Sequence, residues 1–141
     1  MNEIEILKEI NKDSKVGMDS ITLVTEKVQD EKFKKLLDEQ HNEYQNIFDR
    51  TQELLIQNHE DMIDVPAMQK MMNWTGIQLN TLTDKSNSQL SELLIQGNDM
   101  GIIKGNKLLN NSNFTTPEIK NILTDFVRLQ EKNIDDLKKY L

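Results

Sequence analysis

Cysteine is absent from this chain. That removes disulfides, zinc–thiolate sites and thiol nucleophiles together. Turn material is scarce as well, with 5 Gly and 2 Pro in 141 residues, which favours a few long helices. Aromatics make up 5% of the chain and His occurs twice. No apolar run approaches the roughly 20 residues a membrane-spanning helix needs, so no membrane insertion is expected. The start, Met1-Asn2-Glu3-Ile4, lacks the basic, then apolar, then small-residue order of an export signal, and a cytoplasmic location is expected. What is abundant is acid. Lys+Arg 17 against Asp+Glu 24 gives a formal charge of −7, the wrong sign for a binder that neutralises nucleic-acid phosphates. The length suits one domain, residues 1–141.

Helical periodicity dominates what remains. From about Ile4 to Val28, the positions Leu7, Ile10, Ser14, Gly17, Ile21, Val24 and Val28 step by three and four, the pattern of one buried stripe. A short polar turn follows, with Asp30 as an N-cap. Phe33, Leu37, Gln40, Tyr44, Ile47, Thr51 and Leu54 repeat the pattern to about Asn58, which makes an antiparallel helical hairpin. Asp64-Val65-Pro66 reads as a new helix start. The stripe then runs through Met68, Met72, Thr75, Leu79, Leu82, Leu93, Gly97, Met100, Lys104 and Leu108. Unbroken, that helix would reach about 65–70 Å, against about 40 Å for its neighbours. A break is therefore expected near Thr83–Asn87, giving a lead-in helix and then a full-length helix from about Ser88 to Asn111. Thr116-Pro117 opens the last helix, with Thr116 as N-cap and the stripe Ile119, Ile122, Phe126, Leu129, Asn133, Leu137 and Tyr140.

A bundle of this size raises the question of a di-iron centre, which needs Glu from two helices and Glu-x-x-His from each of the other two, all inward. The nearest match is Asp38-Glu39-Gln40-His41. On the stripe set by Phe33, Leu37 and Tyr44, His41 lies at the edge and Asp38 toward solvent. The other His, His59, is on the same helix, so a second His-bearing motif elsewhere is impossible. His41 and Glu43 remain the weak metal candidates, and no cofactor is expected. The inward positions carry neutral polar groups instead: Ser14 and Gly17, Gln40 and Tyr44, Gln96 and Gly97, Gln130 and Asn133. Their levels predict a polar layer across mid-bundle, either a hydrogen-bonded register device or the wall of a small-ligand pocket.

Two further features suggest contact surfaces. Gly97, Gly101 and Gly105 recur every four residues, which implies close helix approach within the bundle or at a dimer face. Each helical Gly costs about 1 kcal/mol relative to Ala, so packing must compensate. Met62, Met68, Met71, Met72 and Trp74 gather at the lead-in helix, either as a cap over the bundle or as a partner-binding surface. No phosphate-binding Gly loop, Ser-His-Asp set or basic aromatic patch is present.

The segment order and four stretches together resemble the bacterial ferritin-like four-helix families of unknown function. The stretches are Val16-Gly17-Met18-Asp19-Ser20-Ile21, Leu36-Leu37 to Tyr44, Ser88 to Gly101, and Gln130 to Lys138. Where metal-carrying relatives would have Glu-x-x-His, this chain has Asp38-x-x-His41 and Gln130-x-x-Asn133. The resemblance implies a fold and no reaction. The expectation is an all-α, ferritin-like, antiparallel four-helix bundle with a lead-in helix and a crossover between hairpins. Functionally, it is a non-enzymatic protein that acts through protein contacts, self-associating as a homodimer or meeting another protein through Met68, Met71, Met72, Trp74 and the Gly97–Gly105 face. Residual metal binding and small-ligand carriage through the polar layer are the alternatives.

Overall fold

The computed structural model describes residues 1–60 and 74–141. Asn2 starts the first helix, α1 (Glu3–Thr25), with a reciprocal capping box: the Glu5 backbone N–H donates to the Asn2 side chain at 2.8 Å, and the Asn2 N–H donates to Glu5 Oε2 at 3.0 Å. The expected stripe is buried along it, including Leu7, Ile10, Ser14, Ile21 and Val24. Asp30 caps α2 (Glu31–Gln57) by accepting from the Phe33 N–H at 3.0 Å. Phe33, Leu37, Gln40, Tyr44, Ile47, Thr51 and Leu55 form its buried face.

Residues 74–81 are helical and are called α3. The helix stops, and residues 82–86 form the expected break. Ser86 then caps α4 (Asn87–Asn111), accepting from the Gln89 N–H at 3.2 Å. The last helix, α5 (Pro117–Leu137), has Pro in its first turn and runs into a 3₁₀ turn, Lys138–Tyr140. Tyr140 stacks on Phe33, with ring centroids 4.4 Å apart and planes 9° from parallel. No strand occurs among the described residues, and no helix among them is long and apolar enough to cross a membrane.

Three contacts fix the direction of travel. Asn87 donates to Asp30 at 3.3 Å, so α2 and α4 begin at the same end. Lys8 pairs with Glu60 at 2.9 Å, and Glu3 bonds Thr115 and Thr116, which places the start of α1, the end of α2 and the α4–α5 turn at the other end. Diagonal α2 and α4 are therefore parallel, while packed neighbours are antiparallel: α1 with α2, α2 with α5, α5 with α4 and α4 with α1. The connection over residues 58–86 must cross the length of the bundle. Its described part, α3, lies against α1, where the Ser20 and Thr75 hydroxyls are 2.9 Å apart.

One apolar cluster joins the four long helices, with Ile6, Leu7, Phe33, Leu37, Leu55, Leu90 and Leu137 inaccessible to solvent. Each such burial contributes about 1.5–3 kcal/mol, whereas a cap contributes about 1 kcal/mol. The stripes hold the bundle and the caps set where its helices end.

Candidate functional site

The two hairpins do not meet evenly. α1 and α4 are spread around a cavity of about 380 Å³, and residues of α3 line one side of it. Its apolar wall includes Val16 and Ile21 from α1, Trp74 from α3, and Leu93, Leu94 and Met100 from α4. Gly17, Gly97 and Gly101 also line it, and at Gly97 the missing side chain leaves the space open. Tyr44 and Gln130 reach it from α2 and α5. Trp74 is the chain's single tryptophan.

Charge collects at the end lined by Asp13 and Lys104. Lys12 pairs with Glu9 at 2.8 Å, Glu9 pairs with Lys104, and Lys104 pairs with Asp13 Oδ2 at 2.9 Å. Asp13 retains 9% of its side-chain exposure, and its Oδ1 has no hydrogen-bond partner. Burial pushes the Asp13 carboxyl above its usual range against the pull of Lys104. Burial also opposes ionisation of Glu9, but hydrogen bonds from Lys104 and Lys12 outweigh it and hold that carboxyl low. Lys104 is desolvated too, yet Asp13 and Glu9 keep it charged above the ordinary lysine range.

A polar layer lies beside the cavity. Tyr44 donates its hydroxyl to Asn98 Oδ1 at 2.8 Å, and Asn133 Nδ2 donates to the same oxygen at 3.2 Å. Asn98 Nδ2 donates to the Leu94 carbonyl at 2.8 Å, and Gln130 Nε2 to the Phe126 carbonyl at 3.3 Å. Gln40 Nε2 reaches the Asn133 carbonyl at 3.4 Å, while its Oε1 has no partner. Full burial drives the Tyr44 hydroxyl to a higher pKa, so it stays a donor. Ser14 is buried but bonds its own helix, at the Ile10 carbonyl, 2.7 Å away. Asn11 ties α1 to α2 separately, donating to Thr51 and Gln52, each at 3.1 Å.

Gln96 does not belong to this layer: it is exposed, and Asn98 is the buried amide of α4. The reason is that α4 has two inward faces. Leu93, Gly97, Met100 and Lys104 line the cavity opposite α1. Asn98, Gly101 and Gly105 also meet α5, at Asn133, Gln130 and Val127, and Leu94, Asn98 and Gly101 share the cavity lining. The glycines blur both stripes, because they carry no hydropathy signal. Asn98 was detectable only as the step between Leu94 and Gly105 in a three-and-four pattern.

The glycine repeat divides in the same way. A Cβ on Gly101 would fall 1.9 Å from Gln130 Oε1, and one on Gly105 would fall 2.4 Å from Val127 Cγ2. Both glycines serve close approach of α4 to α5 inside the chain, so they are not free to form a dimer face. Gly97 has open space around its Cβ position. Of the lead-in cluster, Trp74 is half-buried against the core, and Met68, Met71 and Met72 lie outside the described residues. His41 is half-buried, and Glu43 pairs with Lys132 at 3.2 Å. Among the described residues no group of three or more His, Asp or Glu is placed to hold a metal ion. Compared with family models, with curated proteins and with solved structures, the chain finds no match.

Proposed function

We propose that this chain is a ferritin-like bundle without a di-iron centre, and that it binds a small, largely apolar molecule in the cavity between α1, α3 and α4. The cavity itself carries the reading. Its volume of about 380 Å³ lies in the range of small-molecule sites, about 300–1,000 Å³, and its make-up of apolar walls with a few convergent polar groups is the usual one. The single long crossover between parallel helices supports the ferritin-like reading, since ferritin-like bundles use that connection. The mid-bundle level, where a di-metal site would need inward carboxylates, holds the amides Gln40, Asn98, Gln130 and Asn133.

Trp74 makes the test direct. A neutral fluorescent apolar probe such as N-phenyl-1-naphthylamine should bind one per chain and accept energy from Trp74. Gly97→Phe fills the cavity from a position with free space, so it should abolish this while the helical circular dichroism and melting transition persist. Unchanged probe binding to a folded Gly97→Phe protein overturns the proposal.

Self-association is the second reading. Met100 and Ile103, neighbours one turn apart on α4, are 46% and 49% exposed, which supports an apolar contact on that helix. A light-scattering mass that stays at one subunit at high concentration overturns it.

A further inference from the structure

Resting on the cavity reading, we infer that the occupant is a primary amine with an apolar tail, its ammonium group seated on Asp13. The charges at that end alternate along a chain: Lys12 to Glu9, Glu9 to Lys104, Lys104 to Asp13. The series stops at a carboxylate that lines the cavity and whose second oxygen has no partner. The next member by alternation is a cation. A second acceptor points the same way. Tyr44 has one hydroxyl proton, and it goes to Asn98 Oδ1 at 2.8 Å, which leaves Gln130 Oε1, 3.4 Å from that hydroxyl, short of a donor. Two under-supplied oxygens in one lining call for a group with several N–H donors, and an ammonium has three.

The arrangement disfavours the opposite charge. Lys104 is already shared by Glu9 and Asp13, so a bound carboxylate would add a third acid to that lysine. A neutral alcohol would satisfy one oxygen and leave the carboxylate's burial unrelieved. Asp13 Oδ1 is itself buried rather than facing the cavity, but the terminal torsion of an Asp side chain is soft, so the carboxylate can turn toward an occupant and exchange its Lys104 contact for the ammonium, leaving Lys104 on Glu9. Burial already strains the charged form of Asp13, and an ammonium at hydrogen-bond distance would restore what desolvation removes. The tail would then lie along the apolar wall toward Trp74.

The experiment is a head-group series on one tail: n-octylamine, 1-octanol and octanoate, each titrated into the full chain at pH 7 with Trp74 emission as readout. The expected result is octylamine tighter than the other two by about tenfold or more, a difference of about 1.4 kcal/mol. In Asp13→Asn, octylamine should fall to the level of octanol. Octanoate or octanol binding as tightly as octylamine to the unmodified chain overturns the amine assignment and leaves the cavity reading standing. If none of the three changes Trp74 emission, both fail. The comparison on the unmodified chain decides the matter even where Asp13→Asn does not fold.

Discussion

The ring of Tyr44 occupies the space a side chain at position 17 would need: a Cβ built on Gly17 falls 2.8 Å from both Cε1 and Cζ. That ring is 4% exposed and is held at its tip by Asn98 and edge-on by Phe126, with centroids 6.1 Å apart. It cannot retreat. Gly17→Ala therefore sets two effects against each other. Helix propensity gains about 1 kcal/mol, and overpacking against a fixed ring costs about 1–3 kcal/mol. The expected outcome of chemical denaturation is a net loss of about 1 kcal/mol, with relief when Tyr44→Leu is added and none when Tyr44→Phe is added, since Phe keeps the ring. A more stable Gly17→Ala protein would show that the approach of α1 to α2 is looser than this.

The three glycines of α4 should respond to alanine with different signs. Gly97 has no atom within 4 Å of a Cβ, so Gly97→Ala should stabilise by about 0.5–1 kcal/mol through helix propensity alone. Gly105→Ala would drive its methyl into Val127, and Gly101→Ala into the buried, hydrogen-bonded Gln130, so both should destabilise by about 1–3 kcal/mol. Melting temperatures of the three single variants check the pattern. Equal responses would refute the assignment of Gly101 and Gly105 to the α4–α5 contact.

These glycines also explain what was legible in the sequence. Stripes with large apolar residues, such as Leu7-Ile10-Ile21 and Phe33-Leu37-Tyr44, could be read because burial of those side chains dominates the energetics. The break at residues 82–86, the cap Asp30 and the helix start at Pro117 followed from local chemistry and helix length. The α4 face did not, because Gly97, Gly101 and Gly105 leave its direction undetermined, and Gln96 was placed where Asn98 belongs. The cavity was hidden for a related reason. The stripe Leu93-Gly97-Met100-Lys104 does point inward, but toward empty space, and a sequence pattern does not distinguish a packed face from an open one. Asp13 gave no signal, since its burial depends on Lys104, 91 positions away.

Thr116 stands at the N-cap of α5, as expected, and Glu3 reaches across from the first turn of α1 to hold that N-cap in place. Thr116 makes no side-chain cap bond; instead Glu3 Oε1 accepts from the Thr116 N–H at 2.8 Å and the Thr115 N–H at 2.7 Å. Those bonds, that of the Thr116 N–H first, hold the Glu3 carboxyl below its usual range. A carboxyl with a depressed folded-state pKa contributes stability above its unfolded value that is lost as pH falls through the folded value. Glu3→Gln should therefore be less stable than wild type at neutral pH, and the gap should close as pH falls below about 4.5. Asp13 acts with the opposite sign: its raised carboxyl makes the native state hold more protons, so stability drops as pH rises through the window above 3.8. The difference between wild type and Glu3→Gln across a pH series of denaturation curves isolates this contact. A gap that is constant with pH would refute the charged contact.

His59 ends α2 in the left-handed region, at φ 56°. Around it the chain closes a Schellman motif: the Glu60 N–H donates to the Leu55 carbonyl at 3.0 Å, and the His59 N–H to the Ile56 carbonyl at 3.0 Å. Glycine is the residue that takes this conformation without a Cβ penalty, about 1–2 kcal/mol for other residues. The imidazole is exposed and makes none of the motif's bonds, so removing it sacrifices no packing. His59→Gly also loosens the unfolded chain, which returns part of the gain. The balance should be a stabilisation of about 0.5–1 kcal/mol, measured as a higher denaturation midpoint with an unchanged slope. Destabilisation on His59→Gly would mean that the side chain holds the start of the crossover in place.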